Sequence, residues 1–200
     1  MTISNKSPNL SGALRRFHTK GVRFDIATLD DVFDFAIRNG GLEELDYIRD
    51  PEVSFNPRPA RIAMIVLQSA KLNSQEAVEA ALLSSVWPSD KEIENPPESL
   101  SENVLEIAAR ARLPPLTLIG SAKKEASNAE ILACCLWLDR ARHYHLAEMS
   151  RDMLCLDRFL QTTESYIELA QEVSAPLHTL LLMWLNRVGT QLRRKRRGKT

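Results

Sequence analysis

The stretch Asn128-Ala-Glu-Ile-Leu-Ala-Cys-Cys-Leu-Trp-Leu-Asp-Arg-Ala-Arg-His-Tyr-His-Leu-Ala147 decides the fold class. Its middle, Ile131 to Leu138, is apolar without a break, so a helix built from it is apolar on every side. Such a helix is stable only when other elements surround it. The run is too short to cross a bilayer, which takes about 20 apolar residues. A central helix, about Asn128 to Ala147, inside a bundle is the expectation.

The neighbours in sequence supply the rest of that bundle. Asp152 to Val173 reads as a long amphipathic helix with Leu156, Leu160, Thr163, Ile167 and Ala170 on one stripe. Ser174 restarts the chain with Pro176 in the first turn, and Leu177, Leu180, Leu181, Trp184, Leu185 and Val188 follow helical spacing. Toward the N-terminus, Ser99 and Glu102 form a capping-box pattern ahead of a helix over Asn103 to Arg112, which Pro114-Pro115 closes. Gln75 to about Val86 forms another, capped by Ser74 and lined by Ala77, Ala80, Ala81 and Leu82. Ala60 to Lys71 places Ile62, Ile65, Val66 and Ser69 on one face. The segment Asp50 to Pro59 carries three prolines and is expected to be a loop. Leu42 to Arg49 reads as a short helix, and Leu29 to Asn39 as a longer one with Thr28 as N-cap and Gly40-Gly41 as its stop.

Composition agrees. The 200 residues include only 7 glycines, and the Val/Ile/Thr alternation of strands is almost absent. The expectation is all-α: a flexible basic arm over 1–24, a helical domain over 25–190 and a basic tail over 191–200. No apolar block of the signal-peptide kind follows Met1. The three cysteines, Cys134, Cys135 and Cys155, are odd in number and form no CxxC pair, which predicts buried reduced thiols and a cytoplasmic setting. A formal net charge of zero conceals two basic ends. Eleven of the 26 basic residues lie before Asp25 or in the last ten positions, leaving 15 against 26 acidic residues between them.

Four blocks in order then point to a family. They are Pro59-Ala-Arg-Ile-Ala-Met-Ile-Val66, Ala80-Ala-Leu-Leu83, Leu136-Trp-Leu-Asp-Arg140 and Thr163-Glu-Ser-Tyr-Ile-Glu-Leu-Ala170. This series is similar to the HD hydrolase domain of the RelA/SpoT-type alarmone enzymes, over roughly Arg58 to Val188. That resemblance implies an HD-type helical bundle and, in an active member, a divalent metal such as Mn²⁺ held by an early His, a His-Asp pair and a late Asp. Here Arg58 stands at the early His, Ser84-Ser85 at the His-Asp pair and Pro88-Ser89 at the acidic pair that follows. Asp139 alone keeps its carboxylate. Arginine stays protonated and serine is a poor ligand, so the resemblance implies a degenerate site with no catalytic residues and no metal.

The candidate pocket is Arg58, Ser84, Ser85, Asp139 and Arg140. Asp139 is either paired with Arg142 or Arg58, the commoner arrangement, or a remnant ligand now hydrogen-bonded to Ser84 or Ser85. Arg58, Arg61, Arg140 and Arg142 either line a pocket that suits a phosphate, which guanidinium binds bidentately, or are surface arginines, the commoner case on helices. His143 and His145 lie two apart, roughly 200° round a helix, and read as surface residues rather than a metal pair. The run Arg193, Arg194, Lys195, Arg196 and Arg197 suits an RNA, DNA or anionic surface, or a solvated end. No Gly-rich phosphate loop, Walker pattern or nucleophile elbow is present. The expected function is a catalytically degenerate module binding a phosphorylated nucleotide or a protein partner. The alternatives are an active metal-dependent phosphohydrolase with other ligands and a nucleic-acid-associated protein using its basic tail.

Overall fold

A computed structural model of the chain describes residues 23–39, 58–84, 95–119, 127–142 and 153–197, and every regular element among them is helical. In chain order these are α1 (Ile26–Asn39), α2 (Arg58–Met64, continued by a π-helical turn Ile65–Ser69), α3 (Gln75–Ser84), α4 (Glu102–Arg110), α5 (Pro115–Ile119), α6 (Asn128–Arg142), α7 (Met153–Val173) and α8 (Ala175–Arg197). The all-α expectation holds. The arm over 1–22, the short helix expected at Leu42 to Arg49, and His143 and His145 lie outside the described residues.

α6 is the central element. It packs against α2, α3, α4, α7 and α8. Ala129, Leu132, Ala133, Cys134, Cys135, Leu138 and Ala141 are consequently buried on all sides of it. At about 25 cal/mol per Å², each large apolar side chain fully removed from water contributes about 1.5–3 kcal/mol, so this helix contributes heavily to the core.

α7 and α8, joined by Ser174 alone, pack along each other and both touch α6. The α8 face is largely as the spacing predicts, with Leu177, Leu181 and Val188 buried and Leu180, Trp184 and Leu185 half-buried. The α7 stripe sits slightly aside of its expected line. Phe159, Tyr166 and Leu169 join Leu156, Thr163 and Ala170 in the core, while Leu160 and Ile167 stay half-buried. Bulky aromatic partners on α6 and α8 draw that face toward them.

Element boundaries differ from the sequence expectation in four places, each for a local reason. α1 is capped by Asp25, not Thr28: its Oδ1 accepts from the Ala27 and Thr28 amides (3.1 and 3.2 Å), and the Thr28 hydroxyl donates to Oδ2 (2.9 Å). Those bonds hold the Asp25 carboxyl below its usual range, the Thr28 hydroxyl contributing most. α4 is capped by Ser101, not Ser99; its hydroxyl accepts from the Val104 amide at 3.3 Å. Arg58 and Pro59, expected in a loop, open α2, because a proline in a first turn has no helical hydrogen bond to lose. By the same logic Pro115 starts a short helix of its own instead of merely closing α4.

The π turn is the feature no periodicity announces. Ile65, Val66 and Leu67 are buried consecutively within it. The Ala70 amide reaches the Ile65 carbonyl (2.9 Å) and the Leu72 amide the Val66 carbonyl (3.1 Å), with Lys71 in the left-handed region at φ 61° between them. No helix among the described residues is long and apolar enough to cross a membrane.

Candidate functional site

Arg58 and Arg61 are one helical turn apart at the start of α2, so both serve the face that meets α6. Opposite them, near the end of α6, lies Asp139, only 2% exposed. The Arg61 guanidinium grips this carboxylate as a fork: Nε donates to Oδ1 at 2.9 Å and a terminal nitrogen donates to Oδ2 at 3.0 Å. Two parallel charge-assisted bonds of this kind fix direction as well as distance. The Arg58 Nε stands 3.8 Å from Oδ2, a charge contact beyond hydrogen-bond length. The side chains of both arginines are largely shielded from water.

Two of the sequence-derived pocket residues, Arg58 and Asp139, thus come together. Ser84 is buried at the end of α3, which packs on both α2 and α6, but its hydroxyl donates to the Ala81 carbonyl of its own helix (3.5 Å) rather than to Asp139. Ser85, Pro88 and Ser89 lie outside the described residues. Arg140 turns elsewhere: its guanidinium carbon sits 5.3 Å over the Trp137 ring, a cation–π contact. Arg142 is exposed and makes no ion pair with Asp139 among the described residues.

The donor set does not suit the divalent ion of an HD hydrolase. Both Asp139 oxygens accept from Arg61, and Arg58 brings a second permanent positive charge beside them, which a cation at that carboxylate would have to displace.

Beside the cluster, α6 and α7 share an aromatic core. Trp137 stacks on Phe159 and Tyr166, each at 4.8 Å between ring centres, and Phe159 meets Trp184 edge-on at 5.6 Å. The Trp137 N–H donates to the Thr163 hydroxyl (3.1 Å), which in turn donates to the Phe159 carbonyl (2.8 Å). The Thr163 and Tyr166 of the fourth family-like block are therefore packing residues. Burial, aided by neighbouring Cys134 and opposed by Arg140, pushes the Tyr166 hydroxyl up to about 12. Burial likewise pushes the Cys134 and Cys135 thiols up, so both stay protonated and poorly nucleophilic.

Three groups escaped the sequence reading. Arg61 was placed among the phosphate-binding arginines but not as the partner of Asp139. Its position one turn from Arg58 was the available signal. Glu130, fully buried in the first turn of α6, accepts from Arg110 of α4 at 2.6 Å. Glu79, buried in α3, accepts from the Gln75 amide at 2.6 Å, and Gln75 also binds the Asp25 backbone, tying α1 to α3. Glu79 interrupts an apolar stretch and Glu130 immediately precedes one, which is the trace they leave in one dimension. Among the described residues no three of His, Cys, Asp and Glu stand together as a metal-binding group. No family model, curated protein or solved structure matches the chain.

Proposed function

We propose that the chain is a catalytically silent relative of the HD hydrolases, working as a binding module that takes a phosphorylated nucleotide or a protein partner at the Arg58–Arg61–Asp139 cluster. The arginine fork on Asp139 carries this reading. A hydrolase of that type needs the late acid to donate lone pairs to an ion, whereas here both oxygens face a guanidinium. Exchanging a neutral imidazole for guanidinium removes the metal chemistry and supplies, in place of the ion, a fixed positive charge that can meet a phosphate. A phosphate is the anion whose geometry matches such donors.

The test is calorimetric titration of the full chain with purine nucleoside polyphosphates, with and without a 3′-diphosphate, in the presence of Mn²⁺, together with assay of released phosphate. The expected result is binding without phosphate release, weakened about tenfold (~1.4 kcal/mol) by Arg58→Ala. Release of phosphate by protein carrying a stoichiometric divalent ion would overturn the silent reading in favour of a metal-dependent hydrolase. Absence of any nucleotide binding would leave a protein partner as the ligand class.

A further inference from the structure

The last helix carries no acidic residue anywhere between Ala175 and Arg197. Leu192 is the last described residue of it that packs against the core. The next five helical positions are Arg193, Arg194, Lys195, Arg196 and Arg197. At about 100° per residue, five consecutive positions go right round the axis, so no side of the helix end lacks a basic position.

The helix also outreaches its neighbour. α7 and α8 fold back on each other, with the Phe159 and Trp184 rings in contact. From that contact α7 runs six residues to Met153 and α8 runs thirteen to Arg197. Among the described residues α8 therefore extends about seven residues, roughly 10 Å, past the first residue of α7.

We propose that this projecting end docks on the phosphate backbone of a nucleic-acid duplex, without reading its sequence. After Glu172 the chain has no acid and seven basic residues, while the preceding 172 residues hold all 26 acids against the other 19 basic ones. A polyanion is thus repelled by the acidic middle of the chain and attracted by its basic ends, of which this one is a described helix. An anionic bilayer would attract the same charge but gains nothing by insertion, because these five positions contain no apolar residue. The inference is independent of the cluster at Asp139.

The experiment is fluorescence anisotropy of a labelled duplex of about 20 base pairs titrated with the full chain across a salt series, beside sedimentation with vesicles rich in phosphatidylserine. Expected is binding whose logarithm falls with the logarithm of salt at a slope between about −3 and −5, as four or five phosphate contacts require. Changing Arg193, Arg194, Lys195, Arg196 and Arg197 together to Gln, a residue that sustains helix, should weaken binding at least about tenfold at low salt. Changing the four arginines to Lys should retain it, and Arg38→Gln should leave it unchanged. No duplex binding by the parent chain, undiminished binding by the Gln variant, or binding to vesicles alone would each overturn the proposal.

Discussion

The two ends of α6 invite comparison. Each carries a buried carboxylate, Glu130 in the first turn and Asp139 in the last, and each carboxylate meets arginine from another helix. They are nine residues apart, about two and a half turns, and so look to opposite sides. Glu130 fastens α4 to α6 through Arg110, whose side chain is 36% exposed. Asp139 fastens α2 to α6 through Arg61 and Arg58, with 19% and 16% exposed. One end is a clamp open to water on its cationic side. The other gathers two shielded guanidiniums on one acid with fork geometry. A buried ion pair is weak evidence for stability, since desolvation offsets most of the attraction, but breaking it by removing one partner is expensive. The chemistry repeats at both ends; what differs is how far the cation has been taken from water.

Urea denaturation of single variants sharpens the contrast. Arg61→Ala strands the Asp139 charge in the interior and should cost about 3–5 kcal/mol, the largest effect of the set. Arg58→Ala should cost about 1 kcal/mol or less, because its contact is long and the fork survives. Arg110→Ala should fall between them at about 1–3 kcal/mol, because water already reaches that guanidinium. An Arg110→Ala loss equal to that of Arg61→Ala would dissolve the distinction between the two ends.

A third buried acid extends the comparison to a neutral partner. Burial pushes the Glu79 carboxyl above its usual range, the Gln75 amide opposing and the Glu76 and Asp25 charges adding. The folded chain therefore holds that proton more tightly than the unfolded chain. Its contribution is present at low pH and is lost as pH rises from the ordinary glutamate range through the raised folded value. Glu79→Gln keeps the amide contact and removes the charge, so it should raise the melting temperature at pH 7, and the gain should shrink toward pH 4. A gain equal at both pH values would assign the effect to packing instead.

Much of this was legible in one dimension. The apolar run Ile131 to Leu138 announced the surrounded helix, and the heptad-like spacing of α8 named its buried face. The contact of Arg58 with Asp139 is one of the two ion pairs expected of that acid, the other being Arg142. Caps were harder, because Asp25 and Thr28, or Ser99 and Ser101, offer the same oxygen two or three residues apart, and only backbone geometry selects one. The fork was harder still: Arg61 and Asp139 are separated by 78 residues, and no local pattern couples them.

By itself the sequence determined that helices form, roughly where each begins and which face each buries, because these depend on interactions within a turn or two. Tertiary structure decided which arginine serves which acid, how deeply each cation sits and that the Ser84 hydroxyl stays on its own helix. Those outcomes turn on angstrom-scale approach between helices distant in the chain, and the electrostatics of a site changes steeply over that distance.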